Sequence, residues 1–553
     1  MAERRVRMRV RGMTCEHCEV SVAKALEGVG AREAKADFRR EEAVFLLGSE
    51  IDEARVAEAI REAGYRPDKL EVLKQGSPRR TEGVPSPSGD GYDLAIIGSG
   101  SAAFAAAIRA RDLGARVVMV EHGTLGGTCV NVGCVPSKAL LRAAEVYYQA
   151  GHHSVAGLET TAGRVDLRAV VEQKRELVET LRLKKYEELV DLYGWEVLQG
   201  HAEFQDGETL RVSGRTLRAA RYLIATGASP AVPPIEGLAT AGYLTSTTAL
   251  ELEAVPRSLA VIGANAVGLE LGQLFQRFGS QVTLIEILPR IAPFEEPEIG
   301  DSLGAILRDE GMEILTGAQL GRVEMTPEGK RLTVAVGGGV RDVVVSDILV
   351  ATGRRPNTGD LGLNRAGVKL DSRGAIVVED TLRTTNPKVW AAGDVTPAPQ
   401  FVYVSAHEGA VAAENAINGA PRAVNLSAVP RVIFTSPQVA AVGLTEQEAQ
   451  ERGHRVTTSV LGLDALARGW VNRETRGLFK LVADAETGHL LGAHVVADSA
   501  GDVIYSAVLA VQYKLRVDDL VNTLAPYLTV AEGLKLAAQT FKRDVAKLSC
   551  CAA

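Results

Sequence analysis

Two stretches of this 553-residue chain carry the same order of parts: an apolar strand, a glycine-marked turn and a helix of small residues. The first runs from Asp93 to Leu113 and contains Gly98-Ser99-Gly100-Ser101-Ala102-Ala103, a GxGxxA turn. Gly98 permits the tight turn, Gly100 lets backbone approach a pyrophosphate, and small Ala103 lets the helix pack on its strand with its N-terminus towards phosphate. A strand from Arg116 to Val120 then ends in Glu121, about 20 residues on, where an acid meets a ribose. The second stretch, Ser258 to Phe278, keeps Gly263 and Gly268 but has Asn265 in the middle. After glycine, Asn best tolerates unusual backbone angles, so the motif is weakened and not lost. Its partner strand Gln281 to Ile285 ends in Glu286, whose carboxylate would bond a ribose diol and repel a 2′-phosphate, favouring NADH over NADPH. The fold class is therefore α/β, with two Rossmann-like dinucleotide domains.

The length exceeds what one core serves, so further domains are expected. Residues 1–74 read as a small ferredoxin-like α+β domain. Val6, Met8 and Val10 alternate with arginines, Val20, Ala23 and Leu26 fall at helical spacing, and the order is β-α-β…α-β. Residues 75–91 hold three Pro and four Gly with almost no apolar residue and read as a flexible linker. The first nucleotide domain is expected over 92–240 and 357–424, the second over 241–356. An α+β dimerisation domain is expected over 425–553, with strand patterns at Ala440–Val442 and Phe479–Leu481 and apolar helix near Ser499–Lys514. A net charge of −7 argues against nucleic acid. No apolar run reaches a membrane span, and the N-terminus has no apolar signal region, so a cytoplasmic protein with reduced thiols is expected.

Six cysteines form three close pairs: Cys15/Cys18, Cys129/Cys134 and Cys550/Cys551. Metal-binding or redox pairs suit a cytoplasmic chain better than structural disulfides. The middle pair lies in Gly126-Gly127-Thr128-Cys129-Val130-Asn131-Val132-Gly133-Cys134-Val135-Pro136-Ser137-Lys138, with a helix expected from Ala139 onward. The helix end and Lys138 would favour thiolate.

This segment resembles the redox-disulfide helix of the pyridine nucleotide–disulfide oxidoreductases, the family of lipoamide dehydrogenase and glutathione reductase. The resemblance covers Tyr92 to the C-terminus. It takes in two Ala-Thr-Gly turns, ending at Gly227 and Gly353, and Ala391-Ala392-Gly393-Asp394. It implies FAD in the first domain and NAD(P)H in the second, with NADPH the usual donor. By the resemblance, Gly127, Thr128, Lys138, Ala202, Asp394 and Val402 meet FAD, Lys138 pairs with Glu270, Cys134 lies nearest the flavin and Cys129 exchanges with substrate. Many relatives carry Tyr at Ala266, over the nicotinamide pocket. Tyr403 and Tyr505 are read as core residues more than site residues.

One departure bears on substrate. Disulfide reductases of this family carry a C-terminal His five residues before a Glu. Counting back from Glu532, that position here is Tyr527. A phenol with pKa ~10 is a poor proton shuttle for thiol chemistry. The vicinal Cys550/Cys551 instead presents two soft ligands, which suits Hg(II), a soft ion that takes two thiolates in line. Gly12-Met13-Thr14-Cys15-Glu16-His17-Cys18 resembles the loop of heavy-metal-associated domains, with Met13 partly burying the thiols and His17 facing solvent. The expectation is Hg(II) as substrate, collected by Cys15/Cys18, carried by Cys550/Cys551 across a homodimer with shared sites, and reduced at Cys129/Cys134, with Tyr527 positioning the inner complex. The alternatives are a dihydrolipoamide-type disulfide reductase and a metal-ferrying module.

Overall fold

The computed structural model describes residues 4–13, 16–37, 42–48, 51–72, 91–419 and 421–544. The chain divides into two compact units, Met1–Glu82 and Gly83–Ala553.

In the first unit, β1 (Arg4–Arg11), α1 (Glu16–Gly28), β2 (Arg32–Asp37), β3 (Glu42–Leu47), α2 (Glu53–Glu62) and β4 (Arg66–Val72) follow in order. The sheet order is β2-β3-β1-β4, the ferredoxin-like arrangement. Val6, Met8 and Val10 are buried and join Met13, Val22, Leu26, Phe45, Val56 and Ile60 in one core. Strand β2 has no counterpart in the sequence reading. It is an edge strand of sequence Arg-Glu-Ala-Lys-Ala-Asp, and an edge needs no apolar alternation on two covered sides.

The second unit begins with β5 (Tyr92–Ile97), α3 (Ser101–Asp112), β6 (Val117–Glu121), α4 (Gly127–Val132) and α5 (Cys134–His152). Glu196–Gln199, β6, β5, Arg215–Ile224 and Val389–Ala391 lie side by side in parallel, so the chain returns after the second nucleotide fold to complete the first sheet. The second fold is a parallel sheet in the order Glu313–Leu315, Gln281–Ile285, Ser258–Ile262, Asp347–Val350. A three-stranded antiparallel meander, Gln319–Val345, is inserted before its last strand. In both folds strand order reverses beside the glycine turn, which opens a crevice at the strands' carboxyl ends. The C-terminal part is a five-stranded antiparallel sheet packed by the helices Ala500–Gln512 and Glu532–Gln539. Among the described residues no helix is long and apolar enough to cross a membrane.

The helix Ala266–Arg277 opens at the second glycine turn and is buried for most of its length. Glu270, Gln273 and Arg277 form one stripe along it and grip the loop after the strand Arg431–Ile433. Glu270 Oε1 accepts from Phe434 N–H at 2.9 Å, Gln273 exchanges bonds with both N and O of Ser436 at 2.8 Å, and Arg277 donates to Ser436 O at 2.9 Å. Arg277 also pairs with Glu310 at 2.7 Å, with side chains 6% and 3% exposed.

Candidate functional site

Each half of the Cys129/Cys134 pair occupies its own helix. Gly126 and Gly127, with φ +100° and +65°, turn the chain into α4, which carries Thr128 and Cys129. A Cβ on Gly127 would lie 2.5 Å from Gly100 Cα, so the thiol turn and the phosphate turn meet backbone to backbone. Gly133, at φ −127° and ψ −109°, ends α4, and Cys134 opens the 19-residue α5. The expected helix start at Ala139 thus moves forward to Cys134. Pro136 falls in the first turn, where helical N–H groups lack partners anyway.

This placement sets the charge. Cys134 sits at the positive end of a long helix. Its pKa is lowered to about 7, first by a hydrogen bond from Cys129 and then by the Lys138 ammonium, against the opposing effect of burial. The same contact, with burial, pushes Cys129 upward. The two shifts run in opposite directions and favour the thiolate at Cys134 over Cys129. Cys129 is half-buried and Cys134 exposed. Lys138 Nζ donates to Glu270 Oε2 at 2.7 Å and lies 4.6 Å from the Phe434 ring centroid. The two residues are distant in sequence, and the redox helix and the second nucleotide fold bring them together.

The surroundings of β5 and α3 suit FAD. Gly98 has φ +106°, and a Cβ there would stand 2.4 Å from Ala225 O. Helix α3 begins at Gly100 with no side-chain cap and no acid in its first turn, so its amides are left for an anion. Glu121 is 8% exposed and accepts from Ser99 Oγ and Gly123 N–H, both at 2.6 Å. Ser99 Oγ in turn accepts from Gly126 N–H at 3.1 Å. Ala202 is buried at the start of its strand, beyond His201, whose ring faces His122 next to Glu121. Asp394 accepts from Ser405 Oγ at 3.1 Å and lies 3.9 Å from Arg354 Nε, and burial raises its pKa. Val402 opens the helix Val402–Asn418, 37% exposed. Gly227 and Gly353, both at positive φ, close the two Ala-Thr-Gly turns, and the chain segments after them pair as a short ladder, Ala228–Pro230 with Arg354–Pro356.

The second cradle has the same plan for NAD(P)H. Gly263 has φ +98° and a Cβ there would meet Ala351 O at 2.6 Å; a Cβ on Gly268 would meet Gly263 O at 1.9 Å. Glu286 is 6% exposed and accepts from Ala264 N–H at 2.7 Å and Leu288 N–H at 2.9 Å. Asn265 has φ −106° and ψ −169°, ordinary extended backbone. Its tolerance of unusual angles, invoked from the sequence, is not used. Gly100 at φ −77° does not need it either, so backbone freedom does not decide the middle position.

Tyr527 is 52% exposed on the dimerisation domain, beside Leu528 at φ +63°, whose N–H reaches Glu532 Oε2 at 3.3 Å. Tyr403 and Tyr505 are 43% and 65% exposed, so neither is a core residue of this chain as expected. Tyr403 stacks on Phe401, its hydroxyl donates to Pro430 O, and burial of the phenol pushes its pKa up to about 12, with the Cys134 charge adding to the shift. Tyr186 was missed by sequence reasoning. It lies in a π-helical turn, Leu183–Glu187, stacks edge-on against Phe104, and burial raises its pKa, with the nearby Cys129/Cys134 pair adding to the shift. No sequence signal marks that turn. Cys18 lies in the first turns of α1, packed against the N-terminal core. Cys15, Cys550 and Cys551, and the side chain of His17, lie outside the described residues.

Comparison with known proteins agrees with this layout. Residues 92–409 match the pyridine nucleotide-disulphide oxidoreductase model, residues 429–538 its dimerisation domain, and residues 7–66 the heavy-metal-associated domain. The chain is 51% identical to a mercuric reductase of Lysinibacillus sphaericus, covering 99% of both chains. It is 48% identical to one of Staphylococcus aureus over 100% of both, and 51% identical to one of Bacillus cereus over 99% of this chain and 87% of the relative. Among solved structures, an HOCl-induced flavoprotein disulfide reductase, RclA from Escherichia coli, matches at 30% identity with a TM-score of 0.73, covering 82% of this chain and 100% of that one. The chain belongs to the pyridine nucleotide-disulphide oxidoreductase family, and within it to the mercuric reductases.

Proposed function

We propose that this chain reduces Hg(II) to Hg(0) at Cys129 and Cys134, using NAD(P)H. The observation that carries the reading is a thiol–thiolate pair at the opening of α5 with Tyr527 where a disulfide reductase keeps its histidine. Gly98, Gly100, Glu121, Thr128, Lys138 and Asp394 would hold FAD, which would supply two-electron transfer between NAD(P)H and a thiol-bound metal. Cys134 attacks the incoming Hg(II) as thiolate and displaces one of its two delivering thiolates; Cys129 displaces the second, and its proton passes to a departing thiolate. Two electrons then convert Hg(II) to the neutral atom, which thiolates hold poorly. Reduction of the bound metal breaks no S–S bond, so it creates no new leaving thiol of the kind a histidine protonates in disulfide reduction.

Upstream, Cys15/Cys18 collect the ion and Cys550/Cys551 of a second subunit deliver it, each step an exchange of one thiolate for another on a two-coordinate metal. Large apolar side chains such as Tyr505, Tyr513 and Leu524 stand exposed in the matched dimerisation domain, which supports a homodimer. Tyr527 positions the inner complex. Anaerobic mixing of the purified, yellow protein with NAD(P)H and thiol-chelated Hg(II) should give metal-dependent NAD(P)H oxidation and volatile mercury. No such oxidation, or rapid turnover of lipoamide or oxidised glutathione instead, would overturn the reading. Turnover of the chelated ion should fall when Cys550 and Cys551 are both replaced by Ala.

A further inference from the structure

A buried carboxyl near the expected flavin cradle has no part in the chemistry above. Glu408 lies on the helix Val402–Asn418 and is 1% exposed. Its Oε2 accepts from the N–H of Gly393, in the turn that leads into Asp394, at 2.7 Å. Its other oxygen takes no hydrogen bond among the described residues. The carboxyl is held close to α3. A Cβ on neighbouring Gly409 would sit 2.0 Å from Ala102 O, and one on Gly393 would sit 3.2 Å from Ala102 Cβ. Glu408 therefore lies where the Gly393 turn meets the first turn of α3, whose uncapped amides suit the flavin pyrophosphate.

The charges around it oppose ionisation. Asp394 faces it from the Gly393 turn, and Arg354 is engaged with Asp394. The first turn of α3 brings no charged side chain, and His407, next on its own helix, is exposed. Burial and the Asp394 charge raise the Glu408 pKa to about 7. A dianionic pyrophosphate would push it further the same way.

We infer that Glu408 is a flavin-binding residue that works as a neutral acid, its unpaired oxygen donating towards the pyrophosphate side of the cofactor, so that FAD binding takes up one proton. This rests on the fold being a flavin site and is independent of mercury. The sign follows from linkage: where binding takes up a proton, affinity falls as pH rises, by up to about tenfold per unit. FAD retained by the full chain is measured by flavin fluorescence from pH 6 to 8.5 in wild type, E408Q and E408A. Wild-type affinity should fall steeply above pH 7. E408Q, a permanent neutral donor, should show a flat profile and bind more tightly than wild type at pH 8.5. E408A should bind more weakly than wild type at pH 6. In weak buffer at pH 7.5, adding FAD to the apoprotein should take up about one proton in wild type and none in E408Q. The long-wavelength thiolate–flavin band reads Cys134 separately and should be unchanged in E408Q. A flat wild-type profile, or the same slope persisting in E408Q (which keeps Asp394), would overturn the inference. A chain that binds no FAD at any pH would overturn the flavin reading instead.

Discussion

The two nucleotide folds are built alike at the first glycine and unlike at the next two positions. Gly98 and Gly263 share a left-handed φ and the same close neighbour, the carbonyl of an Ala-Thr-Gly turn. The third position differs: Ala103 carries its methyl fully buried, whereas a methyl on Gly268 would strike Gly263 O at 1.9 Å. The acids differ too. Glu286 is held by backbone N–H groups alone, but Glu121 takes the Ser99 hydroxyl, which also holds Gly126 of the redox turn. The first fold is thus fastened to the turn before Cys129 through Ser99, whereas the second reaches the helix of Cys134 through the Glu270–Lys138 pair. A cofactor that stays and one that comes and goes would call for that difference.

One added methyl in each fold separates their roles. G98A should give colourless protein, while G268A should stay yellow yet lose at least about a hundredfold in NAD(P)H-driven flavin reduction, the scale of a small misplacement of reacting groups. If both variants lost the same cofactor, the assignment of the two cradles would fall. Next comes the Cys134 thiolate. Cys134 is lowered to about 7, so its thiolate is present above that pH and is lost as pH falls through it. Hg(II) capture by the reduced pair should drop about tenfold per unit below pH 7, followed by stopped-flow absorbance. Replacing Glu286 by Ala should raise the NADPH-to-NADH ratio of kcat/KM by about tenfold, or ~1.4 kcal/mol. An unchanged ratio would remove Glu286 from donor choice. S99A should cost ~1–3 kcal/mol of stability, read as a lower Tm of the holoprotein, because it leaves the buried Glu121 short of a donor. Smallest of all, N265G should alter the KM for NAD(P)H by no more than about threefold, since Asn265 already has relaxed backbone.

What could be read from sequence followed from local necessity. The turns at Gly98 and Gly263 demand glycine whatever surrounds them, and the strands ending in Glu121 and Glu286 are bounded by their own apolar runs. What escaped depends on partners far along the chain. The edge strand Arg32–Asp37 owes its existence to β3. The π-helical turn that aims Tyr186 at the cysteines depends on tertiary packing. Glu408 looks, in sequence, like the wet side of a helix. The contact between Lys138 and Glu270 was anticipated only through family resemblance, because spacing alone cannot bring together residues of two different domains. At Asn265 the backbone is ordinary extended chain, so tolerance of unusual angles has no role there.

The stripe of Glu270, Gln273 and Arg277 has a consequence for recombination. These three side chains make the seat of the second nucleotide fold and the loop Phe434–Ser436 a matched pair, like a plug and its socket. A chimera that borrows its nicotinamide-binding segment from a distant homologue, to change donor, must import that loop as well. Otherwise Lys138 inherits a stranger's carboxylate, and the thiolate it helps hold becomes a casualty of a crossover made far from any cysteine.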